Sequence, residues 1–579
     1  MYSRRIRSGR FAIHAAQTPQ ETPEYSATDH QPGCRTALIL AIVAATAVIA
    51  PMLFLGSASG HDFLFHLASW MDVCRQWHEG IIFPRWAEWA NWGFGEPRFI
   101  FYPAASWIIG AALGAILPWT AVPAAYVWLT LILAGMCAWL LAKEWLSSTE
   151  AAAAAVFFAI NPYHLVIVYY RSAFAELLAS ALFPLLILAA IQVARGISRA
   201  PLNLALVFAA VWLANAPAAV IATYSLALLL VVGCVQRRSL RPLAVGGAAM
   251  ATGFGLVAFY ILPAAWEQRW VQIGGAFSAE YSLEHNFIFT HTNAPDFLLF
   301  NWKVSGVALS MMLVVWIAAI SVARRRREFP LAWWVLFALA GASTLLMFSP
   351  SAILWLHLPV LRFVQFPWRW LGPLGLAFAF FVAAAVPVPA RKQRICWLAV
   401  MTLIALIGVI IARDAPWDRR DVPSLIAAIQ SGRGYEGADE YQPIGADRYN
   451  LPQAALPAPL VNFPQDDARN SSDRIHIDKW TAQRKNFHVD LHAEATLAIR
   501  LFCYPAWTIS MDGRTISGEC DDDTGQLLLT LPAGDHRVVI RFRRTRDRTA
   551  GAVISILFLI GLLIFASLRR RSCKPTGSV

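Results

Sequence analysis

No two cysteines in this sequence stand in a C-x-x-C pair, and the eight present are scattered. That excludes the usual zinc-ribbon and knuckle spacings. No Walker loop and no Rossmann-type glycine fingerprint occurs in a strand–turn–helix setting, so no element for binding ATP or a nucleotide sugar is visible. A long internal repeat and a low-complexity tract are missing as well. Charge is sparse, at 15% of residues, while 58% are hydrophobic and the mean hydropathy is +0.50. A soluble domain carries roughly 45–50% apolar residues, so this excess defines a polytopic membrane protein.

The net charge of +12 sits largely in arginine clusters between apolar runs: 195–199, 237–241, 324–327, 391–394 and 569–571. That placement fits cytoplasmic loops under the positive-inside rule and not a nucleic-acid surface. Many of the 24 tryptophans lie at segment ends, where an amphipathic ring suits the headgroup level. With every arginine cluster on one side, the apolar runs pair into crossings. These are Thr36–Leu55, Val122–Leu141, Ala151–Ile160, Leu177–Ala194, Pro201–Ala214, Pro217–Val235, Leu243–Leu262, Phe297–Ala323, Leu331–Phe348, Leu371–Val388, Ile395–Ala412 and Ala550–Leu568. The count of about 12 keeps both termini cytoplasmic. It requires Phe101–Leu117 to be a juxtamembrane or re-entrant helix, because a thirteenth crossing breaks the parity. One feature opposes this topology: Arg541, Arg543, Arg544, Arg546 and Arg548 precede the last crossing on its outer side, although long translocated domains are largely exempt from the charge rule.

Four regions follow. Residues 1–35, with Arg4, Arg5, Arg7 and Arg10, read as a disordered cytoplasmic tail, too long and polar for a signal peptide. Residues 36–412 form the transmembrane domain, with a first outer loop over 57–121. Residues 413–548 are polar and alternating, and read as an extracytoplasmic all-β module of sandwich or jelly-roll type. Its expected strands are Phe487–Leu491, Ala495–Phe502, Trp507–Asp512, Thr515–Ile516, Gln526–Leu531 and His536–Phe542, with a turn at Asp512-Gly513 and a loop-rich approach over Asp414–Asp473. Cys503 and Cys520, both in this module, are the pair placed to form a disulfide. Residues 549–579 are the last helix and a basic cytoplasmic tail.

The chemistry concentrates just past the first crossing, at His61-Asp62-Phe63-Leu64-Phe65-His66. A carboxylate at a membrane boundary, flanked by two imidazoles, is suited to general-base work on a lipid-borne substrate. Asp62 to Gly80 is amphipathic, and Asp62 and His66 at i and i+4 share one helix face. Asp is equally a preferred helix N-cap, so a capping role for Asp62 stands beside the catalytic one. Phe83-Pro84-Arg85-Trp86, Gly93 to Arg98 with Glu96, and Phe101-Tyr102-Pro103 add turn formers, aromatics and two arginines. A guanidinium fork suits phosphate; aromatic rings stack on sugars and also anchor interfaces. Asn161-Pro162-Tyr163-His164 through Arg171 and Glu176 reads as a short outer loop. There Arg171 and Glu176 form either a structural ion pair or part of a site. Arg362 and Arg369 flank Trp368 among aromatics at another outer boundary, an environment fit for a lipid-linked phosphate or for interface anchoring. The loop Pro263–Pro295, with Glu267, Arg269, Glu280, Glu284, His285 and His291, reads as a solvated segment, with help in binding an acceptor as the alternative.

These motifs resemble the bacterial membrane proteins labelled 6-pyruvoyl-tetrahydropterin synthase-related, although nothing here resembles the soluble pterin enzyme. The carriers are Gly60-His61-Asp62 with His66, Phe83 to Trp86, Gly93 to Pro97, Phe101 to Pro103, Asn161 to Tyr163 with Arg171 and Ala175-Glu176, and Phe366 to Arg369. Tyr504 to Trp507, Asp512-Gly513 and Pro532 to Arg537 continue the pattern. The family is similar in turn to the GT-C glycosyltransferase superfamily. That resemblance implies a polyprenyl-phosphate sugar donor, an outer-face active site and a glycan, lipid or protein acceptor in the bacterial envelope. It implies Asp62 as catalytic base, assisted by His61 or His66. From the residues themselves, Arg85, Arg171, Arg362 or Arg369 is expected to stabilise the departing lipid phosphate, with Glu96, Tyr102, Glu176 and Trp368 as expected substrate contacts. Many such transferases carry an Asp in the second outer loop; here Arg171 with Glu176 stands nearest. No metal ligands are assigned and no cofactor is expected; a divalent cation has no support. A transporter of lipid-linked saccharides would use the same arginines without a base, and a scaffold for envelope assembly would need neither.

Overall fold

The computed structural model describes residues 33–277, 281–291, 295–325, 329–385, 390–451, 460–462 and 475–572. The expected N-terminal tail lies outside these residues, except that helix has already begun at Cys34. Glu280, Arg326, Arg327 and the segment after Ser572 also lie outside them.

Among the described residues nine helices are long and apolar enough to cross a membrane, and two bent pairs raise the number to eleven. The remaining expected crossing is the 15-residue helix Ala200–Ala214, about 22 Å long at 1.5 Å per residue. Helix Ala104–Gly114 has 11 residues, about 16 Å, half the hydrocarbon thickness, and is too short to span. Two expected crossings are not straight. Leu243–Leu262 breaks by 72° between Arg241–Leu256 and Ala258–Trp270, and Leu331–Leu346 turns by 96° into Ser349–His357.

The second outer loop expected over 161–176 is instead helical. Asn161 ends helix Ser148–Ala159 and restarts it, its Oδ1 accepting from the Tyr163 and His164 amides at 3.0 and 3.1 Å. Pro162 takes the first position of the new turn, where its missing N–H costs nothing. The chain then widens into a π-turn at Ile167–Arg171, breaks at Ser172 with φ 51°, and enters helix Phe174–Ala194. Apolar content alone cannot separate a broken membrane helix from a loop, and the polar residues here were the misleading signal.

The bundle has a clear inside. In spans Ser148–Arg171 and Pro367–Ala385, 89% of the apolar stretch is enclosed by protein, whereas Arg394–Asp414 and Arg546–Ser567 reach only 11%. Charged groups on the first two are thus shielded from lipid by neighbouring helices, the condition under which they are tolerated. At one end of the bundle Arg195 pairs with Glu144, and Arg325 donates to the Ala385 carbonyl. The first loop and the β-module gather at the other end.

There the described residues build nine strands in two antiparallel sheets: β1 (Leu460–Asn462), β2 (Ile475–Thr481), β3 (Arg484–Leu491), β4 (Ala495–Phe502), β5 (Trp507–Met511), β6 (Arg514–Ile516), β7 (Glu519–Cys520), β8 (Gln526–Leu531) and β9 (Gly534–Phe542). The orders are β1-β4-β8-β7 and β2-β3-β9-β5-β6. Alternate residues of both sheets, among them Phe487, Val489, Leu497, Ile499, Leu529, Val538 and Ile540, fill one shared core, which makes the module a sandwich. Asp512 and Gly513 both take positive φ at the β5–β6 turn, the two-residue hairpin geometry that Asp-Gly favours. Cys503 and Cys520 form a disulfide with Cα atoms 5.9 Å apart.

The sandwich is docked onto the first loop. Lys485 Nζ reaches Glu88 Oε1 at 2.7 Å inside the interface. Arg500 donates to the Trp92 carbonyl from Nε at 2.9 Å, and Trp86 is ringed by Tyr504, Trp507 and Phe542. Beneath this contact, amphipathic helix Phe63–His78 lies on Ala104–Gly114. Trp70 fills the space over Gly110, where an added Cβ would come within 2.1 Å of the ring.

Candidate functional site

The segment after the first crossing is pinned to the break at Ser172. The Gly60 amide donates to Ser172 Oγ at 3.1 Å, and that hydroxyl donates to the Ala58 carbonyl at 2.7 Å. The Asp62 amide donates to the Arg171 carbonyl at 2.8 Å. Gly60 is required because a Cβ there would sit 2.5 Å from the Arg171 carbonyl carbon. Two segments more than a hundred residues apart are thereby held like paired strands, and their side chains meet.

Asp62 occupies the N-cap position of helix Phe63–His78, but its side chain makes no cap bond. Its Oδ2 accepts from Arg171 Nη2 at 2.9 Å and its Oδ1 lies 2.9 Å from His61 Nδ1. Arg171 Nη1 reaches Glu176 Oε2 at 2.5 Å, and Arg369 Nε reaches the same oxygen at 3.2 Å. Tyr163 donates its hydroxyl to Glu176 Oε1. The result is a continuous relay Asp62–Arg171–Glu176–Arg369, two acids against two cations. Burial alone would raise the Asp62 pKa; the Arg171 guanidinium and the His61 contact outweigh it and hold the carboxyl well below the usual range. Asp62 is therefore ionised at every physiological pH. Arg369 also donates from Nη1 to the Val364 carbonyl at 2.6 Å, and among the described residues its Nη2 has no hydrogen-bond partner.

A cavity of about 480 Å³ opens over this relay, lined by His61, Asp62, Tyr102, Glu176 and Arg369 on one side. Its other wall is Glu436 to Tyr441 with Arg448. The Asn215-Ala216-Pro217 break between two helices also borders it. A second, apolar slot of about 210 Å³ adjoins, lined by Tyr170, Phe297, Phe300, Phe366 and Trp368. His61, Tyr281 and Arg171 connect the two: His61 and Tyr281 line both, and Arg171 joins the slot to Asp62. The Arg171 guanidinium lies 5.0 Å from the Trp368 ring centre.

The expected site residues divide accordingly. His61, Asp62, Tyr102, Arg171, Glu176, Trp368 and Arg369 converge. His66 is buried among Phe65, Trp70, Tyr102 and Phe174, and burial lowers its pKa to about 4, so it is a neutral imidazole. Glu96 does not line the cavity. It is fully buried, accepting from Arg98 Nε at 2.6 Å, Asn91 at 2.9 Å and the Ala438 amide at 3.0 Å, and so it ties down the 436–441 wall. Arg85 lies on a different cleft, and Arg362 is exposed beside Phe277 and Phe363.

The 436–441 wall carried no role in the sequence reading. Arg448 Nη2 binds Glu436 and Asp439 at 2.8 and 3.1 Å, and Tyr441 stacks on Phe101. Glu440 is left half-buried, and burial with the neighbouring Glu96 raises its pKa to about 7. The available signal was the run Gly432 to Tyr441, glycines alternating with acids and tyrosines inside a segment otherwise read as linker. Behind the first loop a further carboxyl, Asp72, is enclosed by Gln76, Tyr435 and the Trp89 amide, and burial raises its pKa to about 7. Among the described residues no group of three His, Cys, Asp or Glu is arranged to hold a metal ion.

Fold and site together define a polytopic membrane protein with a charged cavity enclosed between its helix bundle and a β-sandwich. The chain belongs to the family described as "6-pyruvoyl-tetrahydropterin synthase related domain; membrane protein", which matches residues 99–416, more than half of its length. The matched stretch contains Arg171, Glu176 and Arg369, and begins after Asp62. No curated protein sequence matches the chain. Among solved structures it is similar to arabinofuranosyltransferase AftD from Mycobacteria at 15% identity and TM-score 0.40, covering 68% of this chain and 27% of that one. A mutant AftD gives 15% identity and TM-score 0.42 over 89% and 42%. ArnT from Cupriavidus metallidurans bound to undecaprenyl phosphate gives 12% identity and TM-score 0.28 over 77% and 97%. The chain thus spans well under two thirds of the AftD structures.

Proposed function

We propose that this protein is a glycosyltransferase of GT-C type that moves a sugar from a polyprenyl-phosphate donor to an envelope acceptor on the outer face of the bacterial cytoplasmic membrane. The observation that carries the reading is the juxtaposition at the relay. A permanently ionised carboxylate and a guanidinium with a free N–H line one cavity, and an apolar slot opens beside them. A phosphosugar fits the polar space and an isoprenoid chain fits the slot. The pairs Arg195–Glu144 and Arg325–Ala385 lie at the bundle end away from the cavity, which under the positive-inside rule supports an outer location for the site and the sandwich.

In the proposed reaction Asp62 takes the proton of an acceptor hydroxyl. The hydroxyl oxygen bonds to the anomeric carbon as the bond from that carbon to the phosphate oxygen breaks. The electron pair leaves with the lipid phosphate, whose charge settles against Arg369 and Arg171. The two arginines supply the positive charge, so the reading assigns no metal ion. Such strong depression of its pKa makes Asp62 a weak base, and Glu440, on the opposite wall and near neutrality, favours a second assignment in which it takes the proton while Asp62 orients Arg171. The sandwich shapes the acceptor side.

The test is transfer by purified protein from polyprenyl-phosphate sugars, comparing wild type with Asp62→Asn and Glu440→Gln. Loss in the first alone assigns the base to Asp62. Unchanged transport of a lipid-linked saccharide by Asp62→Asn, with no transfer by wild type, removes the transferase reading in favour of a transporter.

A further inference from the structure

Arg85, Arg543, Arg544 and Arg548 converge on a cleft of about 460 Å³ between the sandwich and the last helix, and no acid lines it. Only Arg548 is neutralised. It donates to both carboxylate oxygens of buried Glu267, at 2.6 Å each, and Tyr504 adds a third bond at 2.5 Å. Arg85, Arg543 and Arg544 form no ion pair among the described residues; the nearest ring to Arg85 is Phe83, at 4.5 Å. Burial, and then the proximity of Arg548, lowers the Arg85 pKa to about 10. Asp547 and Glu267 offset part of this charge from outside the cleft, but three guanidiniums with no ion pair, gathered in a cleft that no acid lines, favour an anion there.

The rest of the cleft says which anion. Below the arginines its wall becomes apolar, with Phe259, Ala552 and Ile556. Ile556 lies ten residues into helix Arg546–Ser572, so the cleft descends about 15 Å along a membrane span. Ile556 is exposed on that face. A polar head with an attached chain fits this shape, and a free ion does not use its lower half. Arg543, Arg544 and Arg548 are three of the five arginines whose charge opposes the positive-inside pattern, and a bound anion on that side reduces the conflict.

We propose that this cleft binds the phosphate of an anionic membrane phospholipid, with one acyl chain laid against the last helix. The site is distinct from the Asp62 cavity and does not depend on the proposed transfer reaction.

Arg543 and Arg544 are exposed, so replacing them leaves the packing intact. The full chain in detergent is titrated with phosphatidylglycerol, phosphatidylcholine or sodium phosphate, reading melting temperature and, by native mass spectrometry, retained lipid. The expected result is stabilisation and retention by phosphatidylglycerol alone, with affinity weakened about tenfold or more in Arg543→Gln/Arg544→Gln. Arg514→Gln, an exposed arginine on β6, keeps wild-type affinity. Equal phosphatidylglycerol binding by wild type and the double variant overturns the site. Stabilisation by sodium phosphate equal to that by phosphatidylglycerol overturns its assignment to a lipid.

Discussion

Two groups of arginines flank the sandwich, and they differ in what neutralises them. At the cavity, Arg171 and Arg369 are held by Asp62 and Glu176 on the two most enclosed helices. At the cleft, Arg85, Arg543 and Arg544 form no ion pair among the described residues, although Asp547 lies nearby, and they sit beside one of the least enclosed helices. A matched relay fixes geometry, because each partner removes the desolvation cost of the next. An unmatched cluster is ready for a ligand that brings its own charge. Counting arginines does not distinguish the two cases; locating the acids does.

The largest effect that tests this contrast is on activity. Asp62→Asn keeps the shape and hydrogen bonding of the relay but removes its outermost negative charge, and is expected to lower transfer by about 10²–10⁴-fold. Next comes stability. Arg171→Ala strands Asp62 without its guanidinium and leaves Glu176 with Arg369 alone, and should cost about 3–5 kcal/mol in a detergent unfolding assay. Arg544→Ala, in lipid-free detergent, should stay within about 0.5 kcal/mol. Equal losses would erase the distinction between the two groups.

A finer test uses pH. Asp62 stays ionised from pH 5 to 9, whereas Glu440 deprotonates as pH rises through about 7. If Glu440 takes the proton, kcat/KM climbs through that region in wild type and the inflection disappears in Glu440→Gln. The smallest expected effect belongs to Asp72. Its folded-state pKa, raised to about 7 from 3.8, means the folded protein binds the proton more tightly than the unfolded chain. Its contribution to stability is therefore full at low pH and is lost as pH rises from about 4 through 7. Asp72→Asn should match wild type below about pH 3.5, melt higher than wild type as pH rises from there, and reach its full advantage of a few degrees above about pH 7.

Much of the frame was legible in the sequence because it rests on periodicity. Strands Ala495–Phe502 and Gln526–Leu531 have the expected ends, and the short helix Ala104–Gly114 answers the parity count. The convergence of Asp62, Arg171 and Arg369 was also anticipated, since charged residues near apolar runs need partners. What could not be read was direction. Glu96 and Glu436 look alike as loop acids; one is fully buried against Arg98 and the other borders the cavity, and only the packing of Gly437 over Asn91 and Glu96 decides which. Arg85 and Arg369 likewise both follow a Phe-Pro pair within two residues, yet face different clefts. The helical path from Asn161 to Arg171 was hidden by its own polar residues.

The cavity draws its parts from opposite ends of the chain: the carboxylate at position 62, the facing wall at 436–441, and the buttress of Lys485 and Arg500 beyond. A ribosome that has made every crossing before the sandwich has therefore produced all the acids and guanidiniums of the relay, but an open trough in place of a chamber. Contacts this distant in sequence form late and slowly. Docking of the sandwich is therefore the step that turns an assembled relay into an enclosed site, and until it happens the same charges lie unroofed.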